Sequence, residues 1–501
     1  MTVSRRTFLR NAAASTATVF AGVTPATSDA PRFANPLKIP PLLEGTAGPR
    51  GNTYDLVAGR GESRFLPGFA TPTIGINGSY LGPTIRCRSG DRISLRVKNQ
   101  LGERTSLHWH GLRIPARHDG GPHQVVESNA VWEPSFEVNQ MASVCWYHSH
   151  LMGRTGQQVL RGLAGLFLID DEESEALRLP SEYGVDDIPV IIQDRRFSRD
   201  GGFDYLSTMH DTMIGYQGTV ILVNGTPNPH LTLRRKLTRL RILNASNARI
   251  YTLGRDDGKD LIIIGGDGGL LDRPARQRRV RVGPGERLEL LVDAQAKETF
   301  RLMSYADRVS PGMGPGMMMG GGMTGNTEVF AIIELRADGL EGPAAAFPTS
   351  LIRVPHWTEA QVARTRTFSL DMGMMGMMGM GMGGRGGMGG MMGINGRSMD
   401  MGRIDVRVPI GSVEIWQVGN ASPVAHPFHI HGVQFRVLDR DGEPPLPHER
   451  GLKDTVLIDP ASTVRVITQF TGLADPDHPY MYHCHILEHE DAGMMGQFVV
   501  T

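Results

Sequence analysis

The run from His483 to Met495, His-Cys-His-Ile-Leu-Glu-His-Glu-Asp-Ala-Gly-Met-Met, gathers metal-binding side chains more densely than any other stretch of the chain. Tyr480-Met481-Tyr482 ahead of it predicts entry as a β-strand, on which neighbouring side chains face opposite ways. Cys484 then points to one side and His483 and His485 to the other, so one strand can serve two metal centres joined by a few covalent bonds. His489 and Met494 lie where the chain can turn back toward the Cys484 side. One cysteine, two histidines and a weak methionine sulfur are the ligand set of an electron-transfer copper site. A zinc site, or a buried cysteine beside unrelated histidines, would explain a lone Cys-His pair better, so the decision rests on partners elsewhere.

Those partners exist. His108-Trp109-His110 and His148-Ser149-His150 lie early in the chain, and His426-Pro427-Phe428-His429-Ile430-His431 precedes the last segment. With that segment they hold ten of the 17 histidines. In each His-x-His, strand geometry sets both rings on one face, about 6–7 Å apart at the backbone. The four pairs supply eight imidazoles, which leaves His426 and His489 for the thiolate site. Eight neutral nitrogens can hold three metals at two or three ligands each, with positions left open. An open cluster of several coppers can pass electrons to dioxygen almost together. Zinc has no redox chemistry and prefers closed tetrahedra in structural sites, so it explains this array poorly.

The elements that must position these residues are strands. The chain has 501 residues, enough for about three domains of roughly 150 residues each. Its 63 Gly, 32 Pro and many short alternating apolar runs favour β-structure with frequent turns. Lys+Arg and Asp+Glu are both 52, which leaves no net field to attract nucleic acid or an anionic membrane. Three cysteines are too few for a disulfide framework, although a Cys87–Cys145 bond is an alternative to a buried Cys145 thiol.

A weak internal repeat gives the order of the strands. Ile76-Asn77-Gly78, Val223-Asn224-Gly225 and Ile394-Asn395-Gly396 each open a block, and an alternating strand ending in Asn99, Asn244 or Asn420 follows. The blocks close on Cys145–His148, Phe300–Tyr305 and Tyr480–His483. The expectation is an all-β chain of three sandwiches of one type, at 50–180, 181–345 and 350–501. The second copy lacks the histidines and reads as a spacer that holds the other two face to face.

Ser4-Arg5-Arg6-Thr7-Phe8-Leu9-Arg10, ahead of an Ala/Thr-rich segment, reads as a twin-arginine export signal within residues 1–30. The mature protein is therefore expected to be periplasmic and without a membrane span, handed over by the twin-arginine export machinery. Gly and Met fill Asp371 to Gly393, within an insertion of domain three that spans 372–401, and are expected to form a mobile surface loop without helix or strand. Thioether sulfur favours Cu(I), so such a segment can gather that ion; the bland alternative is a linker.

The four histidine motifs, in this order over three blocks, resemble those of the multicopper oxidases. Arg161-Gly162-Leu163-Ala164-Gly165-Leu166, Asp267-Gly268-Gly269-Leu270-Leu271 and Lys453-Asp454-Thr455-Val456 are similar to segments of the bacterial copper-efflux, or cuprous, oxidases. The resemblance covers nearly the whole mature chain and implies three cupredoxin-like Greek-key β-sandwich domains and four copper ions, with dioxygen as co-substrate. It implies a type 1 copper on His426, Cys484 and His489 with Met494 axial, and a type 2 copper on His108 and His429. It implies one type 3 copper on His110, His148 and His485 and another on His150, His431 and His483. Asp119 and Glu490 stand where the family keeps acidic groups that relay protons or orient a bound water. Trp109 and Trp146 are expected to pack around the cluster.

The expected reaction is one-electron oxidation of Cu(I), coupled to four-electron reduction of dioxygen to water in copper tolerance. A laccase-like oxidase of small phenolic or aromatic donors is the alternative, and a copper-sequestering or division-associated scaffold is a third reading. The chain departs from the copper-efflux pattern at Asn420–Ala425, which lacks the Asp and Met-Met of that group's substrate-copper site. Asp371, Met372, Met399, Asp400 and Met401 are the candidates for a relocated Cu(I) site. His118, His123, His210, His230, His356, His448 and His478 read as surface or hydrogen-bonded residues, and a monomer is expected.

Overall fold

Arg92–Gln100 shows why these sequences fold as strands. Ile93, Leu95, Val97 and Asn99 alternate with residues that face outward, so one side is buried and the other meets water. The computed structural model describes residues 33–49, 51–306, 328–342, 347–373, 392–471 and 474–501, which form six β-sheets paired into three sandwiches. The proposed export signal, Met313–Met323 and the middle of the methionine-rich segment lie outside the described residues. Among the described residues no helix is long and apolar enough to cross a membrane.

In the first sandwich, β1 (Gly51–Ser63) pairs with β2 (Thr71–Ile76) and lies parallel to β4 (Arg92–Gln100). Its second sheet runs from β3 (Thr84–Arg88) to β7 (Ala164–Asp170), β6 (Ser143–His148) and β5 (His108–His110). The helix α1 (Thr155–Arg161) precedes β7. The second sandwich is built around β8 (Asp187–Arg195), parallel to β9 (Leu237–Asn244), which is antiparallel to β10 (Arg287–Asp293). Between β8 and β9 stands a short helix, α2 (Met209–Ile214). In the third, β11 (Val362–Met372) pairs with β12 (Met392–Ile394) and β13 (Val413–Asn420). The facing sheet places β15 (Tyr480–Cys484) between β14 (His426–Ile430) and β16 (Met495–Val500), with α3 (Leu487–Asp491) linking β15 to β16.

The repeat read from the sequence has a structural counterpart in each sandwich. Asn77, Asn224 and Asn395 take φ of 52°, 50° and 54°, a left-handed conformation that Asn tolerates better than other side-chain-bearing residues. Each side-chain carbonyl accepts a backbone N–H, from Val57, Ile191 and Ser369 respectively. The strand-ending Asn99, Asn244 and Asn420 use one hydrogen-bond scheme three times. Asn244 donates to the carbonyls of Arg249 and Val282 and accepts from the N–H of Ser246, and the other two do the equivalent.

Two details differ from expectation. Asp371, Met372, Met392 and Gly393, expected in a loop, are strand-paired, Asp371 to Gly393 and Met372 to Met392. Met392 is buried and Met372 packs against the domain-three core, and this apolar contact offsets the glycine cost at the hairpin base. Residues before 50, left outside any domain, also add strands: Asn35–Pro36 joins the second sandwich and Leu42–Leu43 the first.

Asn244 is fully buried, so Asn244→Ala strands two carbonyls and one N–H without partners. The expected cost is about 2–4 kcal/mol, read by calorimetry as earlier melting of the second sandwich; an unchanged transition would show the Asn scheme to be dispensable.

Candidate metal centre

β6 and β15 carry no polar face: every residue of both is buried, because each lies in a seam between sandwiches rather than at the surface. The pairing of β5 with β6 sets His108 opposite His148, and the pairing of β14 with β15 sets His429 opposite His483 and Phe428 opposite Cys484. His150, His431 and His485 lie just beyond the ends of their strands, and all eight rings are buried. Alternation does what was expected of it. Cys484 faces one way, and the two flanking rings face the cluster.

On the Cys484 side the sulfur is 3.1 Å from His426 Nδ1 and 3.8 Å from His489 Nδ1, and the two ring nitrogens are 3.3 Å apart. The far nitrogens are fixed from behind. His426 Nε2 meets Ser422 Oγ at 2.6 Å, and His489 Nε2 meets the Met213 carbonyl at 3.1 Å. Met494 is fully buried and its carbonyl accepts the Cys484 N–H at 3.1 Å. Both Nδ1 lone pairs are thereby aimed at the sulfur, the arrangement a soft-metal site needs.

On the other side the Nε2 atoms of His150, His431 and His483 lie 3.1–3.3 Å from one another. His431 and His483 each engage a partner through Nδ1, Asp119 Oδ2 at 2.7 Å and the Cys484 carbonyl at 3.0 Å. A proton held at those partners leaves a bare lone pair at each of these two Nε2 atoms, and lone pairs converging at such distances repel unless a cation sits among them. His108, His148 and His429 show the same pattern: Nδ1 is satisfied by a carbonyl and Nε2 is buried without a partner. Both nitrogens of His485 lack a partner, and its ring centroid is 5.0 Å and 5.3 Å from those of His110 and His148. Unpartnered buried donors and acceptors on this scale are costly, and metal coordination resolves them. Ligand atoms of His108-His110-His148, His108-His429-His431, His150-His431-His483 and His426-Cys484-His489 each fall within 4.8 Å of one another.

Burial, reinforced by neighbouring rings, pushes His110, His148, His150, His426, His431, His483 and His485 well below 6.5, and burial takes His489 to about 4. The rings are neutral and available as ligands. Burial also raises Glu490 well above the usual carboxyl range; its oxygens lie 3.2 Å from His150 Nδ1 and 3.3 Å from His483 Nδ1 without hydrogen-bond alignment. Asp119 spans the other edge, its carbonyl on His108 and its carboxylate on His431. Both expected acidic residues therefore border the cluster.

Sequence reasoning missed the contribution of the second sandwich. Arg287, on β10, is fully buried and forks onto Asp454, whose Oδ1 is 3.0 Å from His110 Nε2 and 3.5 Å from His429 Nδ1. Burial alone would raise the Asp454 carboxyl; Arg287 and His110 outweigh it and hold the group well below its usual range. A Cβ on Gly285, at φ +82°, would come within 3.0 Å of the His485 ring. The only signal of Asp454 was its place in the Lys453–Val456 motif; Arg287 gave none.

Trp146 stacks on His148 at 4.1 Å as expected, but Trp109 points into the first sandwich and stacks on Trp132, because it alternates with its histidine neighbours. The candidates for a separate Cu(I) site lie at the hairpin base of β11 and β12 and in the segment that follows it. Asp371 accepts hydrogen bonds from Ser369 Oγ and the Gly396 N–H, and Asp400 closes a turn onto the Gly402 N–H. Met372 lies in the hairpin base, while Met399 donates its N–H to the Gly493 carbonyl and Met401 offers its carbonyl to Gln497. Cys87, Cys145 and Cys484 are all free buried thiols, so the Cys87–Cys145 bond is not formed.

Nine of the ten site imidazoles have lowered pKa values, including His429, whereas three carboxyls on α3, Glu488, Glu490 and Asp491, are raised by burial. A lowered imidazole stabilises the fold above 6.5 and loses that contribution as pH falls; a raised carboxyl does the reverse. Nine outweigh three. The metal-free protein is expected to lose melting temperature as pH drops from 6.5 toward about 4, and a flat calorimetric profile over that interval would contradict the burial of neutral rings.

Models of the multicopper oxidase family match residues 58–174 and 368–501. The chain is 35% identical over 508 residues to the cell division protein FtsP of Escherichia coli strain K12, covering 100% of this chain and 99% of that one. A laccase-like multi-copper oxidase CueO from the lignin-degrading bacterium Ochrobactrum sp., with oxidase activity towards lignin model compounds and lignosulfonate, is 37% identical; it covers 93% of this chain and 100% of its own at a TM-score of 0.82. A multicopper oxidase from Campylobacter jejuni, described as a metallo-oxidase, is 30% identical and covers 93% and 95% at a TM-score of 0.80.

Proposed function

The chain belongs to the multicopper oxidase family, and on that premise we propose that it oxidises Cu(I) to Cu(II) and reduces dioxygen to water, in copper tolerance in the periplasm. The observation that carries the oxidase reading is the pair of buried ligand sets, back to back on one strand. His426, Cys484, His489 and Met494 would hold a type 1 copper. His108 and His429 would hold type 2, and His110, His148, His485 and His150, His431, His483 the two type 3 ions. Bound copper supplies one-electron chemistry at the thiolate and a multi-electron site for dioxygen.

The protein's own groups do the rest. Cys484 is peptide-bonded to His483 and His485, so the two sites share a short covalent path. Asp119, Asp454 and the backbone carbonyls orient the rings from behind. Glu490, kept protonated by burial, holds a proton beside His150 and His483, where reduction of dioxygen consumes one.

Cu(I) is favoured over an organic donor because His489 is fully buried and its Nε2 is already engaged by Met213, so no ring edge is open to a phenol. The metallo-oxidase description of the Campylobacter relative supports the same choice. The Ser4–Arg10 run supports export by the twin-arginine route. The likeness to a cell division protein favours a second reading, a structural partner in division; a scaffold has no use for ten buried histidines.

Reconstituted protein is expected to bind four coppers per chain by metal assay and to consume oxygen with Cu(I) faster than with a phenol. Preference for the phenol would transfer the reading to a laccase. Cys484→Ser is expected to remove the intense blue absorption of the thiolate site along with turnover, whereas Glu490→Gln keeps the colour and slows turnover by about 10²–10⁴-fold. Equal rates for Glu490→Gln and the parent would exclude the carboxyl as a proton source.

A further inference from the structure

His489 is one of the two rings of the thiolate site, and no part of it reaches solvent. The group against its Nε2 is the backbone carbonyl of Met213, on α2 of the second sandwich, at 3.1 Å. An electron donor using this ring must therefore work through α2. That helix is fixed at both ends. Thr208 and Asp211 form a capping box, and Gly215, at φ +87°, lets the chain turn so that the Tyr216 N–H reaches Glu488 on α3 at 3.0 Å. Asp211 is committed to Arg196 at 2.6 Å and is not free to bind anything else.

The outer face of α2 is chemically unusual. Met209 is 61% exposed, the largest exposure among the large apolar side chains of the described residues, and it contributes little to any core. His210 is exposed, and Met213 is partly buried against the cluster that contains Cys484 and Met494. Residues three and four apart on a helix are surface neighbours, with Cβ atoms about 5–6 Å apart, so Met213 lies within reach of both His210 and Met209. Two thioethers and an imidazole suit a soft monovalent ion such as Cu(I).

We infer that the outer face of α2 is a docking site for a cuprous ion, built from Met209, His210 and Met213, and that it is the port through which electrons reach the His489 side of the thiolate site. Each docked Cu(I) gives one electron to the copper-loaded enzyme and leaves as Cu(II); four such ions and four protons convert one dioxygen to two waters. Asn420–Ala425, on the His426 side of the thiolate site, offers no thioether or imidazole, and its Ser422 braces His426. This inference rests on the cuprous reading of the chain.

The test uses copper-loaded holoenzyme and Ag(I), a redox-silent stand-in for Cu(I). Calorimetric titration is expected to show an Ag(I) site that inhibits Cu(I) oxidation competitively. His210→Asn and Met209→Leu, both at exposed positions that do not threaten the fold, are each expected to weaken Ag(I) binding and raise KM for Cu(I) by about tenfold. Combining Met209→Leu with Met213→Leu should remove the site. Unchanged Ag(I) affinity and unchanged KM in His210→Asn and Met209→Leu would overturn the inference. If the parent binds Ag(I) on α2 and loses it in the variants but shows no Cu(I)-dependent oxygen uptake, the docking site stands, while the port and the cuprous function fail.

Discussion

A neutral imidazole has one proton and one lone pair, and burying ten of them in a seam between β-sandwiches requires both to be dealt with. In most of these rings the fold settles one nitrogen with a fixed partner: a carbonyl for His108, His148, His429, His483 and His489, a hydroxyl for His426, a carboxylate for His431. The opposite nitrogens then converge on common points. The protein spends hydrogen bonds on the backs of the rings so that their fronts have nothing to bond except a metal. Burial keeps protons off those fronts, so the same desolvation that makes the pocket costly also makes it selective for a Lewis acid over a proton.

The second sandwich proves to be more than a spacer. It brings a buried arginine to the carboxylate behind His110 and His429, a glycine close to the His485 ring, and a backbone carbonyl to His489. A buried Arg–carboxylate pair is a weak source of stability, because desolvation offsets much of the attraction. Its value here is directional: a planar fork fixes the Asp454 plane, and with it the two rings that Asp454 faces. The ligands come from the outer two domains, and part of their orientation comes from the middle one.

How much of this was legible in the sequence follows from the range of each interaction. The histidine pairs and Cys484 could be placed because a strand's two-residue period is local, and it sends Cys484 and its neighbours to opposite sides without knowledge of the fold. The same rule, applied to Trp109, would have shown that it faces away from the cluster. The triplicate Asn turns were visible because left-handed backbone and short amide side chains go together. Arg287, Gly285 and Met213 were hidden because their contacts, to Asp454, His485 and His489 respectively, span 167 to 276 residues of chain, and no pattern marks such contacts. Asp371 and Asp400 are engaged locally: beside serine and glycine, each carboxylate accepts from its own turn, which competes with a role as a ligand.

The register of β14 against β15, with Phe428 facing Cys484 and His429 facing His483, carries a last consequence. Sliding either strand by a single position would send the sulfur into the imidazole nest and turn two rings toward the apolar filling. Such a chain could keep its sandwich shape but would have no intact place for either kind of ion. Metal binding at both places therefore reports on register: a molecule that can fill them has, by that fact, threaded its last strands correctly.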